Sequence, residues 1–72
     1  EPSTEVVTRL RAAFHIASLL ATKDSPAVVQ AWFQGMNPLL ADVAPARLLR
    51  EGDLDESGPA VLAAARAFAG EG

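Results

Sequence analysis

Proline stands where helices tend to begin and glycine where they tend to stop, and this punctuation constrains the fold more than any other feature of the chain. Ser25-Pro26 pairs a capping side chain with a proline at the first helical position, and Asn37-Pro38 repeats the device. Gly35, Gly52 and Gly70 sit at the ends of the intervening segments. The spacing predicts an all-α fold, a small bundle of about four to five helices. The first runs from Ser3, with Glu5 in its first turn, to about Ala21; Thr22 to Ser25 break the pattern. The second runs from Pro26 through Trp32 and Phe33 to Gly35, and a short turn follows from Leu39 to Ala41. The next helix runs from Pro45 to Gly52, and the last is launched by Ser57-Gly58-Pro59 and continues to about Ala69, with residues 53–57 as an acidic loop. Composition agrees, because half the residues are hydrophobic, fifteen of those thirty-six are alanine, and β-branched residues are few.

Residues 1–72 make one domain, small enough that one core supplies only about 3–5 kcal/mol. Natural domains of this size add disulfides, a metal or a partner. With no cysteine and His15 as the only histidine, neither a disulfide nor a thiolate zinc site can form, so a partner is the remaining route and no cofactor is expected. The net charge of −3 and the scattered basic residues are the wrong footprint for phosphate binding, so nucleic acid is not expected as a partner of this segment alone. No apolar run approaches the ~20 residues that cross a bilayer and no signal-peptide pattern opens the chain, which reads as cytoplasmic with no membrane partner. The start at Glu1-Pro2-Ser3, without methionine, reads as part of something longer.

Residues spaced 100° apart place Val6, Leu10, Ala13, Phe14, Ala17 and Leu20 on one stripe of the first helix, the stripe expected to face the core. Ala12, Ile16 and Leu19 form a second, weaker strip, either ordinary exposed apolar residues or a covered surface. In the last helix Arg66 is the single charge between Ala60 and Ala69. Val61, Ala65 and Phe68 are expected to face the core there, leaving Ala63, Ala64 and Ala67 as a smooth strip that another backbone can approach, or simply as good helix formers. Trp32 and Phe33 are core candidates first; if Trp32 joins Val28 and Val29 inside, Phe33 reaches toward a neighbouring segment or a partner.

A search for chemistry returns little. His15 falls on the side of the first helix opposite Val6 and beside Arg11, a solvated position. Asp53, Asp55 and Glu56 lack the further ligands of a calcium loop, and the glycines are too scattered for a phosphate loop. No pair of residues forms an acid–base or nucleophilic set, so the chain is read as a binder and not an enzyme.

The middle of the chain, Trp32-Phe33-Gln34-Gly35-Met36-Asn37-Pro38-Leu39-Leu40 followed by Pro45-Ala46-Arg47-Leu48-Leu49-Arg50-Glu51-Gly52, resembles the toxin-binding domain of Xre/MbcA/ParS-type antitoxins. That family typically shows a Trp, an Asn-Pro five residues on, a Leu three after the Asn, a Pro eight after it, a Leu-Leu pair and a Gly. Trp32, Asn37, Pro38, Leu40, Pro45, Leu48, Leu49 and Gly52 reproduce each spacing, over a match of about residues 28 to 69. Gly35-Met36 stands where the family often has a proline before the Asn, and Ala41-Asp42 where a glycine pair is common.

The resemblance implies a bacterial antitoxin whose partner is a cognate RES-class toxin, an enzyme that degrades NAD⁺. In such antitoxins the carboxy-terminal part reaches toward the toxin's active site and blocks it. Carried over by position, the contact falls on Arg66, Ala67, Ala69, Gly70, Glu71 and Gly72, with Arg47 and Arg50 as further protein-binding candidates. Arg66 is the natural anchor, since a guanidinium pairs with carboxylates around a nucleotide site, although the negative end of its own helix also accounts for it. Residues 24–72 then form the antitoxin-like region and residues 1–23 a leading helix for dimerisation or linkage.

Two alternatives stand beside this. One is a dimerisation or scaffold module of a transcriptional regulator, a homo-oligomer built on Ala12, Ile16 and Leu19. The other is a helix-turn-helix over residues 26–51, whose only assets are Arg47 and Arg50.

Overall fold

A computed structural model of the chain describes residues 3–70. It contains four α-helices, α1 (Thr4–Ala21), α2 (Pro26–Gln34), α3 (Pro45–Glu51) and α4 (Leu54–Phe68), and a 3-10 turn at Pro38–Leu40. No strand occurs among the described residues; Asn37 and Val43 make one isolated bridge. The architecture is a small all-α bundle in which α1 packs against each of the other three helices and α4 closes over α1 and α3.

The caps fall largely where the sequence puts them. Ser3 and Ser25 each accept a backbone N–H through the side-chain oxygen, from Val6 at 3.2 Å and Val28 at 3.3 Å. Asn37 Oδ1 accepts from Leu39 N at 2.9 Å and opens the 3-10 turn. Each bond satisfies a donor that the first helical turn leaves without an intrahelical partner.

One start differs from the sequence expectation. The last helix begins at Leu54, so the stretch read as an acidic loop is its first turn. Asp53 is the N-cap, its Oδ1 accepting from Asp55 N at 3.1 Å, and Asp55 and Glu56 lie where the helix dipole favours negative charge. Pro59, expected at the first helical position, lies inside the helix, where it removes one backbone bond close to the amino end. Gly52 fixes the junction between α3 and α4 by its size. A Cβ there would press on the Ser57 hydroxyl and come within 2.7 Å of the Leu48 carbonyl, although the backbone angles are ordinary.

The core is formed by Ile16 and Leu20 of α1, Val29 of α2, Leu40 of the turn, Leu49 of α3, and Val61, Ala64 and Ala65 of α4 with Ala69. Leu20, Val61 and Pro45 are the largest side chains wholly removed from solvent. This corrects the expected orientation of α1. Of the charge-free stripe, only Leu20 is buried; Ala13 and Ala17 are half-buried, Val6 is exposed, and Leu10 and Phe14 are 63% and 75% exposed. The weaker strip is the inner one, with Ile16 buried and Ala12 and Leu19 packed against the core. At 100° per residue the helix is turned by roughly a quarter of a revolution from the expected setting.

Two cations explain that setting. Arg9, on the same side of α1 as Ile16 and Leu20, donates through Nη1 to the Leu49 carbonyl at 3.0 Å. Its Nε and Nη2 hold Glu5 Oε1 at 3.1 and 3.0 Å. Lys23, just after α1, donates to the Ala69 carbonyl at 2.8 Å. Both acceptors lie at helix carboxy ends, where carbonyls lack intrahelical donors and the dipole favours a positive charge. The charged residue that makes the inner face look like an outer one is the residue that fastens it.

The loop between the 3-10 turn and α3 carries the only positive φ values among the described non-glycine residues, 55° at Ala41 and 64° at Asp42. It is held by Asp42 N and Leu40 N on the Asn37 carbonyl, both at 2.9 Å, and by Val43 N on the Leu40 carbonyl at 3.1 Å. Left-handed backbone costs a side-chain-bearing residue roughly 1–2 kcal/mol.

Candidate protein-binding surface

α2 ends at Gly35, whose N–H closes on the Ala31 carbonyl at 3.0 Å, and the chain then turns through Met36 and Asn37 into the 3-10 turn. The last turns of α4 lie alongside. Between them runs a groove of about 390 Å³, walled by Trp32, Met36 and Leu39 on one side and by Ala64, Ala67 and Phe68 on the other. Met36 is 80% and Leu39 67% exposed, and Phe68 is also exposed.

Trp32 forms the floor. Its ring meets Phe33 edge-on at 5.2 Å between centroids with planes 86° apart, and lies 6.1 Å from the Phe68 ring at a tilt of 42°. Trp32 and Phe33 are half-buried, Val29 is buried, and Val28 faces solvent rather than joining Trp32 inside. Exposed apolar side chains scattered singly mean little, but a concave cluster built on a rigid aromatic pair is the usual anatomy of a protein-binding surface.

The site residues named from the sequence do not converge on one place. Ala67 lines this groove, with Asn37 and Pro38 at its end and Trp32 at its base. Arg66 is exposed one residue away, but at 100° per residue it leaves α4 on nearly the opposite side from Phe68. Its position in the last turn suits the negative end of the α4 dipole.

Ala69 is buried and its carbonyl is taken by Lys23, so it holds the fold together and has no free surface for a partner. Gly70 follows with φ of 80° and open space around it. Glu71 and Gly72 lie outside the described residues. Arg47 and Arg50 are on α3, both paired with Glu51, at 3.5 and 3.3 Å.

Arg50 and Leu49 instead line a second groove, of about 300 Å³, whose other wall is α1. Of the remaining landmarks, Leu40 and Pro45 are buried, Leu48 packs at the edge of the core, and Gly52 makes the close junction described above.

Sequence reasoning missed Phe68, which it placed in the core, and reversed Ala64, which it placed on the open strip; Ala64 is buried and Phe68 frames the groove. It gave no role to Met36 and Leu39. A signal for both was present, since two large apolar residues flank Asn37-Pro38, a turn too short to bury them.

Among the described residues no group of three or more acidic, histidine or cysteine side chains is placed to hold a metal ion, and no helix is long and apolar enough to cross a membrane. His15 and Arg11 are exposed on α1. Comparison with family models, with curated proteins and with solved structures finds no match.

Proposed function

We propose that this chain acts by binding, as the toxin-binding domain of an antitoxin, and that it holds a NAD⁺-degrading toxin of the RES class inactive. The groove of Trp32, Met36, Leu39 and Phe68 docks on the toxin, and the end of α4 occludes the active site.

The observation that carries the reading is the loop at Ala41-Asp42. These two positions, where the resembled family commonly has a glycine pair, adopt consecutive left-handed conformations here, which glycine takes without steric cost. The departure from the pattern is thus one of residue type, at two positions whose backbone a glycine pair would adopt readily, and this supports the reading. Further support comes from the landmarks, which have structural duties at their spacings: Asn37 caps, Pro38 and Pro45 open helical turns, Leu40 and Leu49 fill the core, and Gly52 permits the α3–α4 contact.

The groove adds a place for the partner. Met36, Leu39 and Phe68 supply flexible and aromatic surface next to the α4 terminus, the composition of a binding centre whose few anchors carry most of the affinity. Arg66 lies on the far side of α4 and reaches a toxin only if the partner wraps that terminus.

The test is co-expression with the product of the adjacent open reading frame, followed by pull-down and measurement of cellular NAD⁺. Binding with preserved NAD⁺ is expected from the native chain. Phe68→Asp or Met36→Asp should abolish both while leaving the helical circular dichroism intact. A neighbouring product that leaves NAD⁺ unchanged by itself, or protection by both groove variants, overturns the reading. Removing residues 67–72 is a poor substitute, because it takes away buried Ala69 and the acceptor of Lys23.

A further inference from the structure

The proposed toxin contact leaves the outer strip of α1 without a role. Val6, Leu10 and Phe14 follow one another at four-residue spacing and all are exposed, and Ala13, Ala17 and Ala21 continue the same side toward the carboxy end. The strip itself carries no charge, since Arg11 and His15 lie farther round; Arg9, bound to Leu49, and Arg50 border the neighbouring groove. Beside the strip lies the groove of about 300 Å³ that α1 shares with Phe33 and Leu49.

The α1 wall of that groove is Val6, Arg9, Leu10 and Ala13, that is i, i+3, i+4 and i+7. Four residues at that spacing form the hole into which a side chain of a facing helix inserts in knobs-into-holes packing. Phe14, exposed one turn beyond Leu10, is a knob of the right kind.

Size decides what the facing helix is. The amino-terminal half of the strip is bulky (Val6, Leu10, Phe14) and the carboxy-terminal half is small (Ala17, Ala21). A parallel copy of α1 would set bulk against bulk and leave a gap between the alanines. An antiparallel copy sets Val6 against Ala17, Leu10 against Ala13, and Phe14 over the hole, and the same contacts repeat on the other side of a two-fold axis. The helix dipoles then also oppose favourably.

We propose that this strip is the contact between two copies of the chain, with α1 antiparallel to its counterpart and Phe14 of each copy seated in the groove of the other. The smallest stable interfaces bury about 500 Å² on each side. That is about a tenth of the 4800 Å² surface of the chain, and a strip about 27 Å long with one groove wall is of that order. The interface sits at the lower size limit, so the dimer is a weak one. It shares no residue with the Trp32 groove and does not depend on the antitoxin reading.

Sedimentation equilibrium of the 72-residue chain over a range of concentrations tests the proposal. A monomer–dimer equilibrium is expected, weakened by at least about tenfold in Phe14→Asp, with Leu10→Lys as a second variant; both side chains are exposed, so the melting curve of the dilute monomer should hold. The chain has no cysteine, so the double variant Val6→Cys with Ala17→Cys should give a covalent dimer under mild oxidation. A native chain that stays monomeric up to about 1 mM overturns the proposal. So does a dimer that survives both charged variants, or one in which the cysteine pair fails to cross-link.

Discussion

α1 carries two apolar strips, and the fold buries one while leaving the other bare. Ile16, Leu20 and Ala12 go inside; Val6, Leu10 and Phe14 stay out, although the outer strip is longer, bulkier and free of charge. Apolar content therefore does not decide which side faces in. What distinguishes the inner side is Arg9, whose three donor nitrogens are all engaged, two on Glu5 and one on the open end of α3. A cation on the inner side is tolerated because it lies at the edge of the core, above the level of Ile16, and finds a helix carboxy terminus there.

The comparison can be broken most forcefully at matched leucines. Leu20→Ala should lose about 2–5 kcal/mol, read by urea denaturation, because it opens a cavity in a closed core. Leu10→Ala, measured in dilute solution, should lose less than about 0.5 kcal/mol. Equal losses would mean that α1 is set the other way round.

Arg9→Met, which keeps the apolar stem and removes the donors, should cost about 1.5–3 kcal/mol, since the bond it removes is charge-assisted and part-buried. In a domain of this size each kcal/mol lowers the melting temperature by about 4–8 °C. Lys23→Met should cost less, about 1 kcal/mol, because that side chain makes a single bond from an exposed stem. The smallest effect belongs to Glu5→Gln, at most about 0.5 kcal/mol and fading with added salt, since it leaves Arg9 bound to Leu49. A Glu5 effect as large as that of Arg9 would show that the ion pair, and not the helix terminus, holds the inner face.

The capping signals were legible because they are local. Ser3, Ser25 and Asn37 each act within three residues of themselves, and the structure keeps all three. The orientation of α1 was not legible, since it depends on an acceptor forty residues from Arg9. The start of α4 was misread between two valid signals. Pro59 resembles a first-turn proline, yet Asp53 with Asp55 and Glu56 is also a helix start, and the earlier one prevailed because Ser57 packs into the space left by Gly52. For the groove the sequence pointed to the right end of the molecule through Ala67, but Phe68 follows Ala65 and Val61 at helical spacing, so pattern alone sends it inward. In the fold it lies beside the half-buried Trp32, 6.1 Å between ring centroids, with about half of its surface in solvent.

The two cationic clasps join residues 40 and 46 positions apart, and α1 takes much of its cover from α4. On a ribosome, where the chain emerges from its amino end, α1 is therefore complete as a helix well before its lid exists. Until Ala69 has cleared the exit, the cover that α4 gives Ile16 and Leu20 is missing, and the nascent chain shows neighbouring molecules more apolar surface on this helix than the finished one does. The third helix brings the acceptor for Arg9 and the fourth brings the lid and the acceptor for Lys23, so the two strips are told apart only late in synthesis.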